Sequence, residues 1–340
     1  MLFVRTFALK LYHSLLQRPQ PESIGIRPGW VIKALVTVAV FSWVFFRLFK
    51  EGVSISSYVT QIGTGGLPEV LLAFAGMPLN LGLESLKWKF MIHRAGGNLS
   101  FLQAWKGVFA GLSTGIFTPN RIGEYAGRIA FLPPELRLHG AVFLFADRIC
   151  QMIITVWMGT LAMEYFRIFH VVLISEKWDL PWPAISAGLW SISLLLPVAV
   201  LLMAVISRKL NLHKFRFATV QKLISALASL RPGIIMPVLG LGLFRYLVFS
   251  LQYFSLAIAF GYQGETVLLL AMIWMVFLVK SVIPSVTLTE LGIRESVALA
   301  VMGVFGVPAH IAFSATFVLY VVNIIVPSLS GLYYVYRLKI

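Results

Sequence analysis

The chain has 340 residues, of which 59% are hydrophobic and only 12% are charged. A soluble domain is about 45–50% apolar, so this composition excludes a soluble globular protein and indicates a polytopic membrane protein. The single cysteine, Cys150, excludes an internal disulfide, and the six histidines show no spacing typical of metal ligands. The sequence therefore predicts no metal site and no other cofactor.

The net charge of +15 follows the loops between the apolar segments. If the N-terminus lies inside the cell, the segments on the cytoplasmic side carry 16 lysines and arginines, and those on the outer side carry three. This positive-inside pattern predicts that both termini are cytoplasmic. The positive charge then needs no nucleic-acid partner, and it favours contact with anionic lipid headgroups.

A membrane span requires about 20 largely apolar residues. We predict six spans, which in chain order are 30–49, 67–90, 141–166, 184–206, 233–260 and 309–336. Segment 1–29 precedes them, either as a helix on the membrane surface or as a solvated lead. The basic segment 207–233 is predicted to be an amphipathic helix at the cytoplasmic surface, and 337–340 to be a cytoplasmic tail. Residues 30–336 then form one membrane domain.

Two further apolar stretches, 101–117 and 267–283, are followed by return arms that are too short or too polar to cross the membrane. We predict that 101–132 and 266–305 are re-entrant hairpins entering from opposite sides. The alternative is that one or more of these arms is a full span.

The predicted fold is therefore an all-α integral membrane protein with about six transmembrane helices and two re-entrant helical hairpins in an inverted repeat. The repeat halves are about 67–166 and 233–336, and each contains a span, a hairpin and a second span. Inverted repeats with broken helices are typical of transporters, which bind their substrate near the bilayer midplane.

The first hairpin carries the motif GIFTPNRIGEYAGRI at residues 115–129. Arg121, Glu124 and Arg128 are spaced three and four apart, so they share one helix face. Charged residues inside a membrane are costly and mark functional sites. We expect the two arginines to bind a phosphate or carboxylate with Glu124 between them, while a structural salt-bridge cluster is the alternative.

The same motif contains signals for a broken helix. Thr118 is a candidate helix N-cap, Pro119 suits the first helical position, and Gly123 weakens the helix that follows. A helix beginning at Pro119 would direct free N–H groups into a polar pocket and favour an anion there.

The second hairpin repeats this pattern, with predicted breaks at Pro284 and Gly292. Its charged residues are candidates for the same substrate site, with structural bracing as the alternative: Lys280, Glu290, Arg294 and Glu295. Glu290 and Arg294 lie four apart and can pair, whereas Glu295 faces elsewhere, toward the first hairpin.

Other intramembrane polar residues are given separate roles. Asp147 and Arg148 lie one-third along a span, and we interpret them as structural, with Asp147 paired to an arginine of a neighbouring segment. Arg245, in the middle of another span, is a candidate substrate ligand or a counter-ion for Glu124. We expect three amides to make interhelical hydrogen bonds: Gln151, Gln252 and Asn323.

Residues 115–124, in the pattern Gly-x-x-Thr-Pro-x-Arg-x-Gly-Glu, and 292–295, Gly-Ile-Arg-Glu, resemble the transmembrane region of bacterial lysylphosphatidylglycerol synthases and their stand-alone flippase-like relatives. The resemblance covers roughly 30–336. It implies a bacterial cytoplasmic membrane protein that moves lipid, notably aminoacylated phospholipid, between leaflets. The soluble aminoacyl-transferase domain is absent from the sequence, so we expect no lipid synthesis. Residues 287–290 replace an expected glycine-rich run.

These observations favour a lipid flippase or transporter that moves an anionic or zwitterionic lipid through a central polar pocket, with membrane lipids as partners. One alternative is an intramembrane enzyme acting on a lipid-linked substrate, although no catalytic nucleophile or metal site is visible in the sequence. The other is a membrane scaffold that transports nothing.

Overall fold

A computed structural model describes residues 66–116, 118, 121–169, 182–209, 226–228, 230–283 and 287–337. Several predictions concern residues outside these ranges: the span 30–49, segment 1–29, most of the amphipathic segment 207–233, and the prolines Pro119 and Pro284. The side chains of residues 287–291, including Glu290, also lie outside the described part of the chain.

Every regular element of the described residues is helical. In chain order they are α1 Leu67–Arg94, α2 Phe101–Gly115, α3 Gly123–Ile129, a 3-10 turn Pro134–Leu136, α4 Arg137–Phe169, α5 Trp182–Lys209, α6 Pro232–Ala259, α7 Thr266–Val282, α8 Thr287–Val304, α9 Ala309–Tyr320, a π-helical turn Val321–Ile325 and α10 Val326–Arg337.

Four helical segments of the described chain are long and apolar enough to cross a membrane: Leu67–Arg94, Pro134–Phe169, Pro232–Ala259 and Ala309–Tyr336. They coincide with four of the predicted spans. Two shorter apolar helices, Ala184–Ala199 and Thr266–Val282, lie in α5 and α7. The described part of the chain is therefore all-helical, and the protein is a multi-pass membrane protein. The total number of spans and the re-entrant course of the hairpins stay predictions.

Helices α2 and α3 form a hairpin whose two arms approach closely through glycines. A Cβ atom added at Gly127 would lie 2.4 Å from the Thr114 hydroxyl, and one added at Gly123 would lie 2.2 Å from the Thr114 carbonyl oxygen. The Thr114 hydroxyl also lies 2.7 Å from the Gly123 carbonyl oxygen and donates to it. Glycine at these positions is thus required for contact between the arms, not for a special backbone conformation.

Helix α8, the return arm of the second hairpin, is longer than the hydropathy pattern indicated. It runs without a break for 18 residues from Thr287, so the predicted helix break at Gly292 is wrong. Glutamate, leucine, arginine and alanine are good helix formers, and together they carry the helix through a single glycine whose cost is about 1 kcal/mol.

The helix contacts follow the division into two halves. Helix α1 of the first half packs along α6 of the second. The first hairpin packs against α10 through α2, and the second hairpin packs against α4 through α7, so each hairpin lies on the last helix of the other half. This exchange is the contact pattern expected of two related halves, and the repeat and its inversion stay predictions.

Two apolar clusters surround the hairpins. The larger joins α4, α6, α7, α8 and α9 around Tyr253, Met272 and Ala298. The second joins α1, α4 and α6 around Trp88, Phe143 and Ile235. Both clusters hold the long helices around the polar groups described next.

Candidate functional site

A cavity of about 290 Å³ lies where the two hairpins meet the long helices. Arg245 lines it at the middle of α6, and Asn323 lines it at the middle of the last span, so the cavity lies halfway along both spans. Its charged lining residues are Glu84, Arg121, Glu124, Arg128, Arg148, Arg245, Lys280 and Arg294. Charged residues of both hairpins are therefore brought to one cavity, together with Arg245.

The tip of the first hairpin differs from the prediction. Helix α3 begins at Gly123 instead of Pro119, and its N-cap residue, Ile122, makes no side-chain capping bond. Thr118 instead accepts a hydrogen bond from the Gly123 N–H at 2.6 Å, across the loop. The prediction that Thr118 caps a helix beginning at Pro119 is wrong, and the Gly123 N–H is already used within the protein.

Arg121 forms the turn at this tip. Its φ of +56° places it in the left-handed region, and it is the one residue other than glycine in the described chain with a positive φ. Such a conformation costs about 1–3 kcal/mol and is typical of functional sites. The turn places the guanidinium at the cavity, with the Arg121 side chain 23% exposed and one nitrogen 3.5 Å from Glu124.

Arg128 is held away from solvent by two carboxylates. It is 1% exposed. Its Nη1 donates to Glu84 Oε1 at 2.6 Å, and its Nη2 donates to Glu124 Oε1. A buried guanidinium that pairs with two carboxylates fits a structural salt bridge better than direct contact with a substrate. Arg128 therefore connects the first hairpin to α1.

Glu124 is the shared acceptor of three arginines. Its carboxylate pairs with Arg128 from the next turn of α3, with Arg121 from the tip, and with Arg148 from α4. The Arg148 side chain is 34% exposed and faces the cavity. Glu124 is therefore saturated by protein groups and positions the two exposed arginines.

Glu84 and Lys87, on α1, are site residues that the sequence analysis missed. Glu84 lies 2.8 Å from Lys87 and 3.4 Å from the Nε of Arg245, in addition to its contact with Arg128. Both Glu84 and Lys87 are buried. The available signal was a Glu-x-x-Lys pair inside an apolar segment predicted to be a span, where a charge marks a functional or structural site.

Lys87 is also the partner of Asp147. The two charged atoms are 2.7 Å apart and both side chains are buried. Asp147 was predicted to pair with an arginine of another segment, so the pairing across helices is confirmed and the partner type was wrong. Arg148, its neighbour along the chain, points the other way, toward Glu124 and the cavity.

Gln151 links the two exposed arginines of the long helices. Its Oε1 accepts from Arg148 at 3.4 Å and from Arg245 at 3.5 Å, while its Nε2 donates to Asp147 at 2.9 Å. The other predicted interhelical bonds are confirmed. Gln252 donates to the Ala73 carbonyl at 2.6 Å, and Asn323 accepts from Asn80 at 2.8 Å.

The second hairpin contributes two cations to the cavity. The Arg294 guanidinium lies 5.0 Å from the centre of the Tyr320 ring, a cation–π arrangement, and the residue is 9% exposed. Lys280 lines the cavity from the last turn of α7. Glu295 is buried and is not among the residues that line the cavity, so its predicted orientation toward the first hairpin stays a prediction.

The charge of the cavity lining is strongly positive. Six arginines and lysines line it against two carboxylates, Glu84 and Glu124. Apolar and aromatic side chains complete the lining, among them Leu112, Phe249, Val276 and Phe277. Within the described residues no group of histidine, cysteine, aspartate and glutamate could hold a metal ion. The arrangement is chemically suited to a guest with a negative group and an apolar part.

Comparison with known proteins identifies the family of the chain. The chain has no match among the curated proteins searched. The sequence profile of the lysylphosphatidylglycerol synthase TM region matches residues 30–331, which is most of the chain and includes both hairpins and the cavity. The resemblance inferred from the two motifs is thus confirmed, and the protein is a membrane protein of the lysylphosphatidylglycerol synthase TM region family.

Proposed function

We propose that this protein moves a lipid with an anionic or zwitterionic phosphate headgroup between the two leaflets of the membrane, with the headgroup held in the cavity. The observation that carries the proposal is the excess of cations in a cavity halfway along the spans, lined by both hairpins. A cation at membrane depth is costly unless it pairs with a counter-charge, so a phosphate that enters the cavity is strongly favoured.

The cations divide into two roles. Arg128 and Lys87 are buried and paired, so they brace the hairpin and α1. Arg121, Arg148 and Arg245 are 23–34% exposed and point into the cavity from three different segments. A planar guanidinium meets phosphate oxygens with two parallel N–H donors, so these three residues are the proposed headgroup ligands, with Lys280 and Arg294 completing the site from the second hairpin.

The lipid-related character of the family supports the same function. The lining of apolar and aromatic side chains beside the cations suits a lipid better than a small hydrophilic ion, because the first carbons of a lipid next to the phosphate are apolar. No nucleotide-binding loop is visible in the sequence, so transport is passive or coupled to an ion gradient.

The test is a transport assay in vesicles made with purified protein and a trace of headgroup-labelled phosphatidylglycerol. The rate at which label leaves the outer leaflet is measured with an impermeant quencher. We expect wild-type protein to accelerate the exchange and Arg245→Gln to slow it about tenfold or more, because a hydrogen bond to a charged group contributes about 1.5–3 kcal/mol.

Arg231→Gln is the matched control. Arg231 is the exposed N-cap residue that precedes α6, and it lies outside the cavity lining. The control should transport like the wild type. An exchange rate no faster than in protein-free vesicles would refute the proposal, and an Arg245→Gln variant as fast as Arg231→Gln would remove the cavity from the transport route.

A further inference from the structure

We propose that the preferred headgroup ends in a phosphate monoester, which carries two negative charges, instead of a phosphodiester, which carries one. This inference rests on the proposed function, because it assigns the substrate class of the same cavity. Three observations carry it: the charge balance, the number of converging guanidinium groups, and a buried hydroxyl without a partner.

The charge balance is counted over the ion pairs of the described residues around the cavity. Five cations belong to these pairs: Lys87, Arg121, Arg128, Arg148 and Arg245. Three carboxylates oppose them, namely Glu84, Glu124 and Asp147. The excess of two positive charges equals the charge of one phosphate monoester.

The donor geometry points to the same guest. A guanidinium has five N–H donors. Arg121 meets Glu124 through one nitrogen at 3.5 Å, and Arg245 meets Glu84 through its Nε at 3.4 Å, so both keep further donors for the cavity. Arg148 is the third exposed guanidinium. Three guanidinium groups can each bind one of the three terminal oxygens of a monoester, whereas a phosphodiester has only two non-bridging oxygens.

Tyr246 supplies an independent indication of a ligand. Its hydroxyl is buried and has no hydrogen-bond partner among the described residues, yet the side chain lines the cavity next to Arg245. Leaving a buried hydroxyl without a partner is costly, and buried polar groups nearly always have one. A phosphate oxygen in the cavity would accept its hydrogen bond.

The experiment compares two lipids with the same acyl chains in the vesicle assay: phosphatidic acid, a monoester, and phosphatidylglycerol, a diester. At pH 8 we expect phosphatidic acid to move about tenfold faster, the effect of one further charge-assisted hydrogen bond. A phosphate monoester gains its second charge near pH 6, so the ratio of the two rates should fall toward one at pH 5. The cavity arginines, lysines and glutamates act on both lipids, and the size difference between the headgroups is the same at both pH values, so the change of the ratio with pH isolates the charge of the lipid.

Tyr246→Phe is the sharpest variant, because it removes only the unpaired hydroxyl and should leave folding intact. We expect it to lower the ratio at pH 8, whereas Arg231→Gln should keep the wild-type ratio. A parallel assay with radioactive inorganic phosphate outside the vesicles tests whether the protein transports free phosphate instead of a lipid. Uptake of phosphate without movement of either lipid would overturn the inference.

The assay distinguishes a failure of the proposed function, lipid transport, from a failure of the monoester assignment. If neither lipid moves faster than in protein-free vesicles, the proposed function is wrong. If both move, but at the same rate or with phosphatidylglycerol ahead at pH 8, transport stands and the monoester assignment is overturned. A ratio that stays constant between pH 5 and pH 8 would also overturn the assignment, because the second charge would then have no effect.

Discussion

Glu84 gives the most quantitative prediction, because three cations depend on one buried carboxylate. Its oxygens lie 2.6 Å from Arg128, 2.8 Å from Lys87 and 3.4 Å from Arg245. Glu84→Gln keeps the volume and shape of the side chain, so the substitution isolates the loss of one negative charge. It leaves these cations without the negative charge that they share.

Removing one partner of a buried ion pair costs about 3–5 kcal/mol. Two cations retain another carboxylate after the change, since Arg128 still contacts Glu124 and Lys87 still contacts Asp147. We therefore expect Glu84→Gln to lower the free energy of unfolding by about 3 kcal/mol, at the lower end of that range. The free energy is measured by detergent-induced unfolding in mixed micelles, followed by circular dichroism.

Glu135→Gln is the matched control. The substitution makes the same chemical change in an exposed turn, Pro134–Leu136, and none of the ion pairs among the described residues involves Glu135. Its cost should stay within about 0.5 kcal/mol. Equal costs for Glu84→Gln and Glu135→Gln would refute the view that Glu84 anchors the cation network.

Three further predictions concern the hairpin and the topology. Gly127→Ala should destabilise the protein by about 1–3 kcal/mol, because its Cβ would lie 2.4 Å from the Thr114 hydroxyl. Gly188→Ala is the control: no atom lies within 4 Å of its Cβ, so it should stabilise the protein by up to about 1 kcal/mol. The free energies of unfolding of the two variants are compared in mixed micelles. Thr118→Val should cost about 1 kcal/mol by removing the acceptor of the Gly123 N–H, and Thr118→Ser should not; equal stabilities of Val and Ser variants would contradict this. In a Cys150→Ala background, a cysteine at position 137 should react with an impermeant thiol reagent only from the cytoplasmic side, and one at position 177 only from outside; the same sidedness at both positions would refute the predicted topology.

Much of the site could be predicted because charges in apolar segments are rare and conspicuous. Arg121, Glu124, Arg245 and Arg294 were chosen for that reason, and the structure places them around one cavity or in contact with it. Their separate roles could not be predicted. Whether an arginine is exposed or bridged depends on which helices meet it, and the spacing within a single helix carries no such information.

The errors have two physical causes, which are contact between segments distant in the chain and local backbone conformation. Lys87 was not chosen, although it falls inside the predicted span 67–90. Its partner Asp147 is distant in the chain, and the two side chains meet only where α1 packs against α4. Gly292 was expected to break a helix that its strong helix-forming neighbours continue. Thr118 does bind a backbone N–H, but across a loop that contains the left-handed turn at Arg121.

Blocking the cavity most directly tests the claim that the lipid headgroup passes through it. Thr155 is a small side chain of α4 that lines the cavity, and Met152, one turn earlier on the same helix, is 48% exposed on the outer surface. Each is replaced by cysteine in a Cys150→Ala background and modified with a bulky thiol reagent, and mass spectrometry verifies complete modification. We predict that modified Thr155→Cys loses lipid transport in vesicles and that modified Met152→Cys keeps it. Full transport by completely modified Thr155→Cys would contradict a headgroup route through this cavity.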